Sequence, residues 1–412
     1  MAAKTNSLLR WREIPRSIWA LGLVSLFMDI SSEMIHSLLP IYLVTVLGAS
    51  TVTVGVIEGI AEATASITKV FSGALSDYLG NRKWLVVFGY GLSALTKPVF
   101  PLARNIGWLT AARFIDRVGK GVRDAPRDAL LADLTPADLR GTAYGLRQSL
   151  DAAGAIFGPL LAMAFMAVFA GNFTSVFWVA VIPAFIAVAI AAFGVREPER
   201  PAAKRVARSP LSRAELARLP PSYWLIVGVA AIFTLARFSE AFLLLRAQSV
   251  GMAATLIPSV LMTMNIVYTL SAWPAGALSD SVGRYRLLVS GFALLVAADL
   301  VLAVAADVLV VIVGVALWGL FLGLTQGLLS TLVADSAPQD LRGTAFGVFN
   351  LVSGLALLAA SVIAGALWDA VGPQGTFLAG AAFTSLALLL LPWARRKVAP
   401  ATPPPSAASP RG

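Results

Sequence analysis

Apolar stretches alternate with short segments of polar residues, glycine and proline along the whole chain. Each stretch has about 20 residues, the length at which an α-helix crosses the hydrocarbon core of a bilayer. Twelve stretches follow this pattern, near residues 17–46, 51–76, 84–103, 106–133, 140–168, 174–194, 221–247, 252–278, 285–306, 307–334, 341–367 and 373–393. The pattern predicts an all-α polytopic membrane protein with twelve transmembrane helices. Asp307 alone separates the ninth and tenth stretches, so this boundary is the least distinct.

The composition agrees with a membrane protein. Of 412 residues, 58% are hydrophobic and 13% are charged, with a mean hydropathy of +0.80. A soluble protein this apolar would lack a surface that water could solvate. The first apolar run begins near Ile18 and continues for a full span without an A-x-A-like cleavage site, so we expect it to be retained. Cysteine is absent, which excludes disulfides, thiolate metal sites and cysteine nucleophiles.

The positions of the basic residues explain the net charge of +10. Basic residues precede the first span and follow the second, fourth, sixth, eighth, tenth and twelfth, whereas the alternate loops carry almost none except Arg104. This is the positive-inside pattern for an even number of spans with both chain ends in the cytoplasm. We therefore expect an integral protein of the plasma membrane, in bacteria the inner membrane, with no role in binding nucleic acid.

Segments without long apolar runs divide the chain. A Pro- and Arg-rich cytoplasmic linker, 195–220, separates two groups of six spans, at 17–194 and 221–393. Residues 1–16 form a cytoplasmic N-terminal segment. The cytoplasmic tail, 394–412, is so rich in proline, alanine and serine that we expect it to be disordered.

Two sequence repeats relate the halves to each other. Gly73-Ala-Leu-Ser-Asp77 returns as Gly276-Ala-Leu-Ser-Asp280, at an offset of 203 residues. Leu139-Arg-Gly-Thr-Ala returns as Leu341-Arg-Gly-Thr-Ala, at an offset of 202 residues. Because the two offsets agree, they indicate one duplication. Two parallel six-span halves around a site at the middle of the membrane are a common plan of transporters.

The fourth span carries a stripe of charge. Eight charged residues recur at helical spacing and lie within about 140° of the helix circumference. They are Arg113, Asp116, Arg117, Lys120, Arg123, Asp124, Arg127 and Asp128. Charges at this depth are costly, so the stripe should face a watery cavity or paired partners and is a functional candidate. The alternative is a structural network of salt bridges that clamps neighbouring helices, and the two interpretations are compatible.

The first span offers candidates for proton or cation binding. Asp29 and Glu33 lie one turn apart, and His36 lies a further turn along the same face. Two carboxylates in a low-dielectric environment repel each other and lose hydration, so we expect at least one to exchange a proton in an accessible pH range. The three residues are also weak candidates for a divalent-cation site. For His36, a polar position at the membrane interface is the simpler interpretation, since metal sites need several ligands.

The second and fifth spans repeat the spacing of one turn. Glu58 and Glu62 form such a pair in the second span, and Arg147 and Asp151 form one in the fifth. An ion pair on one helix face is the structural alternative for each, and we prefer it for Arg147 and Asp151.

The second half has few buried ionisable residues, namely Arg237, Glu240, Arg246 and Asp299. We therefore expect the coupling ions to bind in the first half and the second half to shape the pocket. Its candidate pocket residues are Asn265, Tyr268, Trp273, Trp318 and Gln326. For the aromatic ones, packing or interface anchoring is the alternative.

The loop after the second span resembles the G-x-L-x-D-[RK]-x-G-[RK]-[RK] motif of the major facilitator superfamily. The residues that fit are Gly73, Leu75, Asp77, Gly80, Arg82 and Lys83. Tyr78 and Asn81 depart from the usual basic residues, and the second copy retains Asp280 and Gly283. The resemblance implies a cytoplasmic gate in which Asp77 caps a helix or pairs with a basic residue. A tight turn with basic anchors is the alternative.

The fourth and fifth spans resemble two further motifs of this superfamily. Arg113 and Gly119 fit R-F-x-Q-G-x-G, although Asp116 and Arg117 replace the Gln-Gly pair. The fifth span resembles the motif associated with antiporters, without its trailing glycines. The residues that fit are Gly145, Gly154, Gly158 and Pro159. Glycine permits close helix contact and proline bends a helix, so plain tight packing is the alternative to a role in coupling.

The resemblance covers essentially the whole chain and implies a secondary transporter that works by alternating access. We expect proton-coupled export of a small amphipathic or cationic compound, with Asp29 and Glu33 exchanging protons and Arg113 and Asp116 acting as relay or gate. Uptake of an organic anion, export of a divalent metal, and a non-transporting sensor or scaffold are the alternatives. We expect a monomer that uses the proton gradient and no cofactor. The chain has no H-E-x-x-H, G-x-S-x-G or nucleotide-binding loop, so we do not expect an enzyme.

Overall fold

The computed structural model describes residues 14–79, 81–136, 139–197, 216–325, 333, 336–338 and 341–398. Over these ranges every regular element is a helix. Most of the predicted linker and tail, and the first thirteen residues, lie outside the described residues.

The first half contains six spans in eight helices. Two spans are each made of two consecutive helices, the first and the third, and the sixth span ends in a π-helical turn at Ile190–Gly194. The helices are α1 (Arg16–His36) and α2 (Leu39–Thr45), α3 (Thr51–Leu79), α4 (Arg82–Thr96) and α5 (Val99–Leu102), α6 (Ile106–Leu134), α7 (Arg140–Val168) and α8 (Phe173–Ala189).

The second half also contains six spans, and the seventh span of the chain, which begins this half, is divided into two helices. The helices are α9 (Pro221–Ala236) and α10 (Ala241–Ser249), α11 (Ser259–Val282), α12 (Arg284–Val304), α13 (Val308–Thr325), α14 (Arg342–Val371) and α15 (Pro373–Val398). The prediction of twelve transmembrane helices in two pseudo-symmetric halves is confirmed. The helix α15 continues to Val398, so residues 394–398 are helical and do not belong to a disordered tail as predicted.

Nine spans in the described ranges are long and apolar enough to cross a membrane by length and composition alone. The others are α3 and α6, which carry most of the buried charge, and α11, whose apolar part is shorter, Ser259–Ala272. Asp307 does separate two helices, because its carboxylate accepts a hydrogen bond from the Val310 amide at 3.0 Å and so caps the start of α13. The chain is an integral multi-pass membrane protein.

The first and seventh spans are broken at equivalent positions of the duplication. In the first span the break at Ser37 and Leu38 is followed by Pro40, which cannot donate a backbone hydrogen bond. In the seventh span the break at 237–240 contains no proline. Its freed backbone is satisfied by serines: the Ser239 amide donates to Ser361 Oγ at 3.2 Å, and the Ser239 hydroxyl accepts from the Ala241 amide at 3.2 Å. Such irregular backbone at membrane depth is tolerated where it lines a cavity or is buried in protein.

The two halves share one core at one end of the molecule and have separate cores at the other. We name the end where α1 begins the terminal end, and the other the opposite end. The shared cluster joins Leu39 and Tyr42 of the first half to Phe242 and Leu245 of the second. At the terminal end, one cluster includes only residues of the first half and another only residues of the second. The halves are therefore packed against each other at the opposite end.

The helices α3 and α14 approach closely across the halves at this opposite end. A Cβ atom on Gly55 would lie 2.1 Å from the Ser361 carbonyl oxygen, and one on Gly365 would lie 2.6 Å from the Thr51 carbonyl oxygen. Only glycine allows this approach. The contact places Asp369 of α14 against the first turn of α3.

Asp369 caps the helix α3 of the other half. Its carboxylate accepts hydrogen bonds from the Thr51 amide and the Val52 amide, each at 3.2 Å, and from the Thr51 hydroxyl. The same hydroxyl also lies 3.2 Å from the Gly365 carbonyl oxygen. A carboxylate at a helix N-terminus satisfies free amides and interacts favourably with the helix dipole. We name this contact the Asp369 cap. The halves cannot separate at this end without breaking it.

We expect Asp369→Ala to open the opposite end, because the cap contributes to closing it and no other carboxylate among the described residues takes part in the contact. The natural chain has no cysteine, so a spin-label pair at Val46→Cys and Gln374→Cys, both exposed, reports the separation of the halves. The distance distribution should shift to longer values in the Asp369→Ala background.

Asp307→Asn is the control for this experiment. It alters a helix-capping carboxylate at the same end that does not bridge the halves, and asparagine retains the cap. An unchanged distance distribution in Asp369→Ala would show that the cap does not hold the halves together.

Candidate functional site: a charged cavity between the halves

A cavity of about 290 Å³ lies between the two halves at the level of the broken spans. The first half contributes Glu33, His36, Glu62, Arg117, Lys120 and Ala155. The second half contributes Arg237, Phe238, Ser239, Glu240, Asn265, Trp318 and Leu357. Seven of these thirteen side chains are acidic or basic, including His36, and both signs occur in each half. The cavity is therefore a polar site at membrane depth, as the transporter plan predicts.

A fully buried ion pair lies behind the cavity in the first half. Arg113 Nη2 lies 2.7 Å from Glu58 Oε2, and the two residues are 2% and 0% exposed. His36 bridges this pair to the cavity, with Nε2 3.5 Å from Glu58 and Nδ1 3.6 Å from Glu33. Arg117 lies 3.4 Å from Glu62 at the cavity wall. Each predicted acid of the second span therefore has a basic partner from the fourth.

Asp116 and Arg123 of the stripe find partners on α4 or just after its end. Asp116 pairs with Lys97 at 3.1 Å, and Lys97 also donates to Ser32 at 3.0 Å. Arg123 donates to Ser93 at 2.6 Å and lies over the Tyr90 ring at 4.5 Å. Tyr90 and Ser93 belong to α4, and Lys97 directly follows it.

Nearer the terminal end, one arginine of the stripe contacts several groups. Arg127 lies 3.3 Å from Asp128 and 3.8 Å from Asp124, and it donates to Ser25 at 3.2 Å and to the Tyr90 hydroxyl at 3.3 Å. The predicted helix-face pair of the fifth span is present as well, with 2.5 Å between Arg147 and Asp151. Most of the stripe thus forms a structural network of salt bridges, which is the alternative to a functional role that the sequence analysis considered.

Lys120 is the exception within the stripe. It lines the cavity, and in the described part of the chain it has neither an ion pair nor a hydrogen bond. The other stripe residues contact partners on neighbouring elements or on α6 itself, whereas Lys120 faces the space between the halves.

Two glycines of the antiporter-like motif allow α7 to pack closely against α1, the helix that carries Asp29 and Glu33. A Cβ on Gly154 would lie 2.7 Å from Asp29 Cβ, and a Cβ on Gly158 would lie 2.5 Å from Glu33 Cβ. The motif therefore brings α7 against α1 where the two predicted proton-exchanging residues lie. Gly145 faces open space and Pro159 lies within α7. Asp29 itself has no hydrogen bond or ion pair among the described residues.

The predicted gate motif is described only in part. Gly80 and the side chains of Asp77 and Asp280 lie outside the described residues. Arg82 Nη1 lies 2.6 Å from Asp133, and the Arg82 and Lys83 amides donate to the Glu197 carboxylate at 2.9 and 2.8 Å. These bonds cap α4 with an acid from the segment after the sixth span. The backbone turns at Gly283 with a φ of +91°, which favours glycine.

The residues of the first half that were weak candidates for a divalent-cation site do not come together. The described residues contain no group of three or more His, Cys, Asp or Glu side chains arranged to hold a metal ion. His36 contacts Glu33 and Glu58, but Asp29 does not join them. The predicted set Asp29, Glu33 and His36 is therefore not assembled.

The candidates of the second half separate into two groups. Arg237, Glu240, Asn265 and Trp318 line the cavity, whereas Tyr268 does not, and Gln326 and the Trp273 side chain lie outside the described residues. Away from the cavity, Arg246 is structural, because it donates to the Leu302 and Ala305 carbonyl oxygens at 2.8 and 2.5 Å.

Asp299 is fully buried. No hydrogen-bond partner of its carboxylate lies within the described ranges, and the carboxylate sits against Gly380.

Sequence reasoning missed four apolar or small residues of the lining, Ala155, Phe238, Ser239 and Leu357. The duplication contains a signal for one of them, because an offset of 203 residues relates His36 to Ser239. The pairing of Lys97 with Asp116 was also missed, because the two residues lie on different spans. The Asp369 cap has no sequence signal, since its two partners are more than 300 residues apart.

Two six-helix halves around a charged central cavity define the fold of a secondary transporter. A family model described as Major Facilitator Superfamily matches residues 21–246 and 241–411. The chain belongs to this superfamily. The family points to a transporter rather than an enzyme.

Relatives and solved structures agree with this assignment. An uncharacterized MFS-type transporter of Methanocaldococcus jannaschii is 34% identical over 388 residues, which cover 92% of this chain and 95% of the relative. The inner membrane transport protein YajR of Escherichia coli is 24% identical over 89% of this chain and 80% of its own. A bacterial homologue of the human lysosomal transporter Spinster, solved inward-facing and unoccupied, superposes with a TM-score of 0.74 at 15% identity, covering 93% and 97% of the two chains.

We expect Glu58→Gln to destabilise the protein strongly, because it leaves Arg113 charged and unpaired in the interior. Breaking a buried ion pair costs about 3–5 kcal/mol. The double variant Glu58→Gln, Arg113→Gln should be less destabilised than the sum of the two single variants. Thermal unfolding of the purified protein in detergent measures each change.

The matched control is Asp133→Asn, which removes the acid of the partly exposed pair with Arg82 and should cost about 1 kcal/mol or less. Equal losses for Glu58→Gln and Asp133→Asn would contradict the structural importance of the buried pair.

Proposed function

We propose that this protein is a proton-coupled secondary transporter that exports a small compound with a cationic group by alternating access. The observation that supports this best is the central cavity, which has ionisable residues of both halves in its wall. A site shared by two halves can change its exposure when the halves rock, without being dismantled.

The packing of the halves supports alternating access. They share a core and the Asp369 cap at the opposite end, and they have separate cores at the terminal end. If the positive-inside pattern holds, the terminal end faces the cytoplasm, and this conformation is the inward-facing one. The Spinster homologue with a similar fold is also inward-facing.

Proton coupling is supported by the first span. Asp29 is a carboxylate at membrane depth without a hydrogen bond or ion pair in the described ranges. Glu33 lies one turn away, at the cavity, beside His36. Ionisable side chains in such positions mark proton pathways in transporters. Arg113 and Asp116, each held in a buried pair, would then act as relay or gate, because a proton reaching one pair member releases the other.

The cavity also bears on the kind of substrate. Pockets for drug-sized ligands have volumes of about 300–1,000 Å³, so a cavity of about 290 Å³ suits a small compound. Glu240, without an ion pair in the described part, attracts a cationic group, and Phe238 and Trp318 give it an apolar wall. The alternative of an organic anion has support too, since Lys120 and Arg237 lie in the same cavity.

We expect proteoliposomes with an internal pH dye to report proton movement when small cationic compounds are added on the cytoplasmic side. Asp29→Asn and Glu33→Gln should each abolish proton movement, because a side-chain amide, unlike a carboxyl group, does not bind and release a proton near neutral pH. The control Asp307→Asn makes the same chemical change at a capping position and should leave proton movement intact.

Proton movement that persists in both Asp29→Asn and Glu33→Gln would overturn the coupling assignment. Proton movement driven only by organic acids would favour the anion alternative.

A further inference from the structure

Three charged side chains of the cavity lack a direct partner among the described residues. Lys120, Arg237 and Glu240 form no ion pair or hydrogen bond within these ranges, although Arg237 and Glu240 attract each other at longer range. The guanidinium of Arg237 only lies over the Phe321 ring, 6.0 Å from its centroid. The other charged cavity residues are occupied, Glu33 by His36 and Glu62 by Arg117. Unpaired charges at membrane depth are costly, and a bound ligand with complementary charges relieves that cost.

The unpaired charges have both signs. A ligand with only a cationic group would satisfy Glu240 and leave two basic side chains without a partner. A ligand with only an anionic group would satisfy Lys120 and Arg237 and leave Glu240 alone. Only a ligand with one group of each sign satisfies all three.

We propose that the cavity binds a small zwitterion, with its anionic group at Lys120 and Arg237 and its ammonium group at Glu240. This inference rests on the proposed function and names its substrate class. Lys120 belongs to α6 of the first half, and Arg237 and Glu240 belong to the break in the seventh span of the second half. The anionic group therefore joins the two halves.

The shape of the cavity fits such a compound. The break turns the seventh span so that Arg237 and Glu240 both line the cavity, and between them lies Phe238, whose ring centroid is 5.4 Å from that of Trp318. These rings provide an apolar surface for the carbon chain between the two charged groups. A volume of about 290 Å³ lies at the lower limit for drug-sized ligands, so the zwitterion is small.

Bridging by the ligand also explains how binding influences the conformation. A ligand shifts an equilibrium only by its difference in affinity between the two states. Lys120 and Arg237 come from different halves, so their separation changes when the halves rock. A single anionic group then contacts both bases in one arrangement of the halves and loses one of them in others.

The test compares matched probes on the purified full-length protein in detergent. The probes are linear amino acids from glycine to 6-aminohexanoate, the methyl ester of each, which is a cation only, and the N-acetyl derivative of each, which is an anion only. Binding is measured by titration calorimetry at constant pH. We expect at least one amino acid to bind about tenfold or more tightly than both of its derivatives, because each derivative leaves a buried charge unpaired.

Variants assign the two ends of the ligand. Lys120→Gln and Arg237→Gln should each weaken the amino acid about tenfold and leave the ester unchanged, and Glu240→Gln should weaken the amino acid and leave the N-acetyl derivative unchanged. The control is Lys69→Gln, since Lys69 lies on α3 outside the cavity and should not affect any probe.

The possible outcomes separate this inference from the proposed function. If no amino acid binds more tightly than its own ester and N-acetyl derivative, the zwitterion assignment is wrong. Proton movement driven by the esters in proteoliposomes would then still support cation export. If an amino acid binds with the expected variant pattern but moves no protons in proteoliposomes, the zwitterion assignment is correct and the proposal of proton coupling is wrong. Equal weakening of all three probe types by each variant would also overturn the assignment.

Discussion

The structure depends on the cost of placing charge inside a membrane protein. Glu58 and Arg113 are almost fully buried, and neither could remain ionised there without the other. Because one comes from α3 and the other from α6, the pair fixes how these helices face each other. The same requirement places Lys97, the residue that follows α4, against Asp116. The packing of the first half therefore follows from a set of ion pairs, and the glycines on α7 let α1 approach closely enough to join it.

Much of the fold could be predicted because the bilayer imposes simple requirements on a chain. A span needs about 20 apolar residues, and basic residues collect on one side, so composition alone marks the helices. The duplication then predicts two similar halves. Even Asp307 could be recognised as a boundary, since one acid between two apolar runs breaks the pattern and caps the next helix. The end of α15 could not, because Arg395 to Val398 continue a helix whose apolar run has already ended.

The candidate site was predictable in its residue types and not in its pairing. Helical periodicity placed the charged residues of α6 on one face, but their partners depend on the rotation and height of α3 and α4, which no local pattern encodes. Lys120 therefore could not be distinguished from Arg117 or Arg123 by sequence. The break in the seventh span was also hidden, because it lacks proline and is stabilised by Ser361, 122 residues away. Contacts between segments that are distant in sequence therefore decide which charged side chains lack a direct partner.

The two halves share an ancestry in sequence but have diverged in how their charges are satisfied. In the first half nearly every buried ion already has a protein partner, so this half forms a site whose geometry is fixed before anything binds. In the second half Arg237 and Glu240 lie on a break between two short helices, where the backbone is held by serines and not by a continuous helix. A fixed surface that faces a more adaptable one suits a cavity that must bind a substrate and release it.

The Asp369 cap closes only one end, and it is made of hydrogen bonds to backbone amides and one hydroxyl rather than a buried ion pair. Water can replace such bonds at the membrane surface at a modest net cost, since an exchanged hydrogen bond contributes only about 0.5–1.5 kcal/mol. The charges that would be expensive to separate lie within the first half, whereas the contacts between the halves are ones that can be broken and remade.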